Sequence, residues 1–141
     1  MVQLIHTDEL SSSPKVGISA CLLGEPVRYD GGHRLDLFIT RTWGRYVRFI
    51  PVCPEVEAGL GVPREPIRII GDPSNPRLIT ERSRTDLTEK LLLWAGDRVS
   101  ELAGLGLWGF IFKSGSPSCG MRGVKVHKGR GRVSSSGVGI F

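Results

Sequence analysis

The chain has 141 residues, 19 of them glycine, a net charge of +5 and three cysteines. That length suits one domain with a single core. Three scattered cysteines exclude a secreted disulfide framework and fit a reducing cytoplasm. The polar opening stretch, Met1–Pro14, has no apolar core of the kind a signal peptide needs, and no run approaches the ~18 apolar residues of a membrane span.

In chain order, residues 1–14 read as a flexible lead-in and 15–141 as the folded domain. Val16–Ala20 is a first buried strand, followed by a loop, Leu22–Arg34, rich in glycine. Asp36–Tyr46 reads as a short helix with Leu37, Phe38 and Trp43 on its buried side. Val47–Val52 is a second strand, and Pro54–Arg64 a loop or broken helix. Ile67–Ile70 and Arg77–Thr80 flank the turn-rich Gly71–Pro76 and predict a hairpin. Asp86 as N-cap, with Glu89 reaching back, starts a helix whose apolar residues Leu91, Leu92, Trp94, Ala95, Val99, Leu102 and Leu105 recur at helical spacing to Gly106. Leu107–Lys113 is a third strand, and the chain from Met121 onward reads as hairpin or loop. Alternating strands and helices predict an α/β fold: a small Rossmann-like three-layer sandwich with a mostly parallel sheet and a glycine-rich C-terminal hairpin. The apolar ending Val138–Phe141 suggests a domain cut from a longer protein.

Each cysteine falls in a loop after one of the three strands. If the strands are parallel neighbours, Cys21, Cys53 and Cys119 meet at the carboxyl edge of one sheet, where open α/β folds bind ligands. Singly, each could be a small buried hydrophobe. Together they favour a shared metal site with one open coordination position. Zinc normally takes paired ligands such as C-x₂-C, absent here, and His33 and His127 lie at no ligand-like spacing. Iron–sulfur clusters also take thiolates, and spacing alone leaves the choice open.

Other groups gather near the cysteines in sequence. Glu55 follows Cys53 by two residues and is a candidate for proton transfer. Lys113, Ser114, Ser116 and Ser118 precede Cys119 and could orient a substrate or stabilise negative charge, although serines there are also ordinary turn residues. The loop Arg28–His33, with Asp30, offers polar groups and close backbone approach, and Arg64 adds positive charge. The acid-free stretch Arg122–Arg132 is basic enough to follow a phosphate backbone but holds no aromatic residue for stacking. No phosphate-binding glycine motif supports ATP or NAD.

Three motifs in order, Cys21-Leu-Leu-Gly24 with Val27–His33, Cys53-Pro-Glu55 through Gly61 with Pro63-Arg64-Glu65, and Ser116-Pro-Ser118-Cys119-Gly120, resemble the DUF523 family, whose characterised members are thiouracil desulfidases. The resemblance implies a [4Fe–4S] cluster on Cys21, Cys53 and Cys119. In the mechanism this implies, the fourth iron, unligated by protein, would take the thiocarbonyl sulfur while water attacks the carbon, and Glu55 in the Cys-Pro-Glu motif is the candidate to activate that water. Lys113, Ser114 and Ser116 then join Glu55 as catalytic candidates, and Asp30, Arg64 and Ser118 as substrate-binding ones. The ending also resembles a two-domain architecture in which a helical DUF1722 domain follows. That architecture is associated with 4-thiouridine in nucleotides and transfer RNA, so these substrates are expected ahead of free 2-thiouracil. Some two-domain relatives carry Ser-Pro-Ser-Ser, whereas Cys119 completes three ligands here. Two rivals stand beside this reading: a non-catalytic RNA-binding module with structural cysteines, and a nucleophilic pair formed by Cys21 and His33.

Overall fold

The computed structural model describes residues 12–141, so most of the predicted lead-in, residues 1–11, lies outside the described residues. Among the described residues, seven strands combine with three α-helices. The strands are β1 (Lys15–Ser19), β2 (Arg48–Val52), β3 (Ile67–Asp72), β4 (Asn75–Thr80), β5 (Gly109–Ile111), β6 (Val124–His127) and β7 (Val133–Gly137). The helices are α1 (Leu37–Arg41), α2 (Pro54–Glu57) and α3 (Thr88–Gly104). The α/β class and the parallel strands are as predicted, and β6 and β7 form the expected antiparallel C-terminal hairpin.

The strands divide into two sheets. The first is wholly parallel, in the order β2-β1-β5; the second, β4-β3-β6-β7, is mixed, with β3 and β6 its parallel pair. Register places Ser19 opposite Val52, and Ile18 opposite Ile111. The three strands of the first sheet therefore end level, and the loops that follow them leave from one edge.

Each sheet has its own core. Ile18, Cys21 and Leu22 form one, with Ile39, Phe49 and Ile111 against it. The larger joins Ile69, Leu78, Val124 and Val126 to Leu91 of α3. In β6 the alternation is plain: Val124 and Val126 are buried while Lys125 between them faces solvent.

Two helix expectations change. The Asp36–Tyr46 segment is a helix of five residues followed by a 3₁₀ turn, Trp43–Arg45. Asp36 does cap it, its Oδ1 accepting from Ile39 N at 2.9 Å. Leu37, Phe38 and Trp43 are exposed, Phe38 by 65%. So short a helix presents few positions to the core, and Ile39 takes the inward one. At α3 the expected capping box is absent. Asp86 Oδ1 accepts from Thr88 N at 2.9 Å, and the Thr88 hydroxyl accepts from Leu78 N at 2.8 Å, so the helix start is tied to β4. Leu91, Ala95 and Leu102 of α3 are buried as expected, whereas Leu92 and Val99 are exposed.

Candidate active site

The three cysteine loops leave the level edge of the parallel sheet and line a single cleft of about 230 Å³. Cys21 sits in a 3₁₀ turn, Ala20–Leu23, closed by Gly24 at φ +90°, whose N–H reaches Cys21 O at 3.2 Å. The returning loop fixes the same carbonyl through Arg34 N at 2.9 Å. Cys53 is the residue before α2, with Pro54 in the first helical position, where its missing N–H costs nothing. Glu57 folds back so that Oε2 accepts from Cys53 N at 2.8 Å, and Arg98 of α3 pairs with Glu57 Oε1 at 3.0 Å.

The Cys119 turn is organised by Ser116, whose hydroxyl accepts from Ser118 N at 3.3 Å and Cys119 N at 3.1 Å. The C-terminal segment backs it: Gly139 N reaches Gly120 O at 2.7 Å, and Phe141 N reaches Ser118 O at 3.0 Å. A Cβ on Gly139 would lie 2.7–2.8 Å from the backbone of Ser118, Cys119 and Gly120, so only glycine fits there.

All three thiols are free. Burial pushes Cys119 up to about 11, against hydrogen bonds from Ser19 and Ser118 that favour the thiolate. Burial likewise raises Cys21, with Arg28 and Lys113 pulling the other way, and raises Cys53. The cleft therefore holds protonated thiols until a cation displaces their protons. Among the described residues, no three His, Cys, Asp or Glu side chains converge as ligands to a single ion. A cluster differs in that each thiolate takes a different iron, and three thiols around one cavity suit that larger body.

Glu55 lies among them. Arg64 donates through Nε at 2.9 Å, and through Nη2, to Oε2, while Ser118 Oγ donates to Oε1 at 3.3 Å. Lys113 also lines the cleft; its N–H donates to Ser19 Oγ at 2.9 Å and its Nζ to Ser114 O at 2.6 Å. Cys21, Cys53, Cys119, Glu55, Arg64, Lys113, Ser114, Ser116 and Ser118 thus all line one cleft. Asp30 does not: it is exposed and its Oδ1 accepts from Gly32 N at 2.9 Å, stabilising its own turn. Neither His33 nor His127 is among the lining residues, and His33 Nδ1 accepts from Leu35 N at 3.1 Å, which leaves Cys21 without the histidine partner of the nucleophilic-pair rival.

Two lining residues do not stand out in the sequence. Ser19, the last residue of β1, is buried and joins the Lys113 amide to the Cys119 thiol. Its only signal in sequence is its place at a strand end two residues before Cys21. Arg28 reads in sequence only as part of a polar loop. It lines the cleft, and its Nε, shielded from solvent, has no hydrogen-bond partner among the described residues.

An α/β domain that draws three free thiols and an ion-paired carboxylate into one cleft defines a candidate thiolate-ligated metal centre. The chain belongs to the 2-thiouracil desulfurase family, whose profile matches residues 16–141. It is 32% identical over 108 residues to the uncharacterised protein YbbK of Bacillus subtilis, covering 73% of this chain and 71% of that one. Among solved structures it is similar to the [4Fe-4S]-dependent thiouracil desulfidase TudS, with a TM-score of 0.71 and 32% identity over 91% of this chain and 82% of the other. No helix among the described residues is long and apolar enough to cross a membrane.

Proposed function

We propose that this protein is an iron–sulfur-dependent desulfidase that exchanges the sulfur of a thiolated uracil for oxygen, giving uracil and sulfide. The observation that carries the reading is the meeting of Cys21, Cys53, Cys119 and Glu55 in one cleft, in a chain of the 2-thiouracil desulfurase family. Cys21, Cys53 and Cys119 would hold a [4Fe–4S] cluster. When bound, such a cluster supplies a soft Lewis acid for the thiocarbonyl sulfur.

The rest of the chemistry falls to the chain. The net reaction takes up one water and releases one hydrogen sulfide, so it needs no oxidant or reductant. Glu55 Oε1, facing Ser118, takes a proton from the attacking water. Lys113, its ammonium beside the Ser114 carbonyl, stabilises the negative charge that builds on the ring. Ser116 and Ser118 hold the Cys119 turn and, through Ser118, the carboxylate. The free thiols suit a reducing cytoplasm.

Within this reading we favour 4-thiouridine nucleotides or transfer RNA over free 2-thiouracil. Two features support the preference: Arg28, a cation among the residues lining the cleft that a phosphate could pair with, and the basic hairpin, where Arg122, Lys125, Lys128, Arg130 and Arg132 are all exposed.

The test is sulfide release by the anaerobically reconstituted protein from 2-thiouracil, a 4-thiouridine monophosphate and 4-thiouridine-containing transfer RNA. The expected order of kcat/KM places the nucleotide or RNA first. Equal or greater efficiency on 2-thiouracil would reverse the preference. No sulfide from any of the three, with four irons bound, would leave the RNA-binding module that the basic hairpin also favours; steeply salt-dependent RNA binding would be its signature.

A further inference from the structure

Three cationic side chains line the cleft: Arg28, Arg64 and Lys113. Arg64 differs from the other two. Its side chain is only 6% exposed, and its donors are engaged by the chain itself. Nη1 donates to Gly61 O and Nη2 to Val27 O, each at 2.8 Å, while Nε and Nη2 both grip Oε2 of Glu55. Its own backbone N–H is held by Tyr29 O at 2.9 Å. A guanidinium so occupied has little left for a substrate.

These bonds converge on groups that shape the reacting end of the cleft. Val27 O is also the acceptor facing the Cys53 thiol at 3.9 Å. Glu55 is gripped through one oxygen only, which leaves Oε1 for Ser118 and the cleft. We infer that Arg64 is a positioning residue: it clamps Oε2 of Glu55 so that Oε1 is presented for proton transfer, and it makes no contact with substrate itself. The inference rests on the role given to Glu55 above.

The experiment compares Glu55→Gln, Arg64→Lys, Arg64→Met and the double variant Glu55→Gln/Arg64→Met in the reconstituted protein. Turnover of 2-thiouracil, iron per chain, thermal melting and calorimetric binding of the product uracil are measured on each. Removing a properly placed general base is expected to lower kcat by ~10²-fold or more in Glu55→Gln, and Arg64→Met should approach that loss. KM and uracil affinity should stay within about twofold, since only a transition-state interaction is removed. Arg64→Lys keeps the charge but not the fork and should fall between, which keeps the test open if Arg64→Met melts early. The double variant should turn over no more slowly than Glu55→Gln alone, because the arginine acts through the carboxylate.

A raised KM and weakened uracil binding with kcat preserved would make Arg64 a substrate contact and overturn the inference. So would a double variant slowed by the product of the two single effects. If Glu55→Gln itself turns over normally, the role of Glu55 is what fails, and the result is separate from anything Arg64 does.

Discussion

The two sheets divide the work of the molecule. The parallel sheet β2-β1-β5 is small, and all three cysteine loops follow its strands. The mixed sheet β4-β3-β6-β7 holds the larger core, with Ile69, Leu78, Val124 and Val126 packed on Leu91, and ends in the exposed basic hairpin. Parallel strands place the loops that follow them at one edge, so a three-loop site can be built with little chain. Antiparallel strands scatter their connections to both edges and serve better as a platform. The division predicts that damage to one sheet's loops should remove metal binding with modest loss of stability, and damage to the other's core the reverse.

The sharpest way to break that division is Gly139→Ala. Gly139 follows β7 of the platform, yet it sits against the backbone of the Cys119 turn. Space for a methyl group does not exist there, so the turn must move and Cys119 with it. Iron and acid-labile sulfide per chain after reconstitution should fall to near zero, the largest effect expected of any single methyl group here. The control is Gly96→Ala in α3, where a Cβ meets nothing within 4 Å. It should leave iron content intact and stabilise the chain by roughly 0.5–1 kcal/mol, through helix propensity alone. Normal iron loading in Gly139→Ala would mean that the two sheets are less tightly joined at this point than the packing indicates.

The opposite side of the comparison is Leu91→Ala. Leu91 is 1% exposed at the centre of the larger core. Its truncation should lower unfolding free energy by about 2–5 kcal/mol in chemical denaturation. Iron per folded chain should be unchanged, since no cysteine belongs to that cluster. Loss of iron in step with stability would show that the cores do not act separately.

How much of this is legible in the sequence follows the same division. The strands of the parallel sheet are apolar runs, and the cysteines after them mark the site directly. Glu55, Lys113 and the serines before Cys119 are found for the same reason: they neighbour a cysteine in the chain. What the sequence hides is contact between distant segments. That Arg64 closes on Glu55, that Ser19 bridges Lys113 to Cys119, and that Gly139 must be glycine to let Cys119 sit are facts of packing. The split into two sheets is hidden likewise, because strand pairing is not written in periodicity. Reading Leu37, Phe38 and Trp43 as buried fails for a related cause: apolar character permits burial but does not require it.

A smaller effect tests the basic hairpin. Lys125→Gln with Arg132→Gln removes two exposed charges on opposite sides of its turn. Under the substrate preference proposed above, transfer RNA affinity should weaken and the salt dependence of binding should flatten by ~0.9 for each phosphate no longer neutralised. Turnover of 2-thiouracil should not change. An unchanged salt slope would detach the hairpin from substrate recognition and leave it a solvated edge of the platform.

The smallest expected effect concerns acid stability of the platform. Hydrogen bonds from Thr88, and then Arg77, hold the Asp86 carboxyl below its ordinary value of 3.8. Asp86 and Arg77 tie the helix start and β4 together, with Arg77 Nη2 at 2.7 Å from Asp86 Oδ2. Because the folded form binds this proton less readily than the unfolded one, the group adds stability above pH 3.8, and that stability is lost as pH falls through the lower, folded value. Both side chains are well exposed, so the effect is small and screened by salt. Asp86→Asn should therefore lower the denaturation midpoint of the metal-free chain slightly at pH 7. The gap between variant and parent should narrow once the pH drops below 3.8 and close only below the lower, folded value, where the parent carboxyl is neutral as well. A gap that persists unchanged in acid would assign the loss to hydrogen-bond geometry at the start of α3 and not to charge.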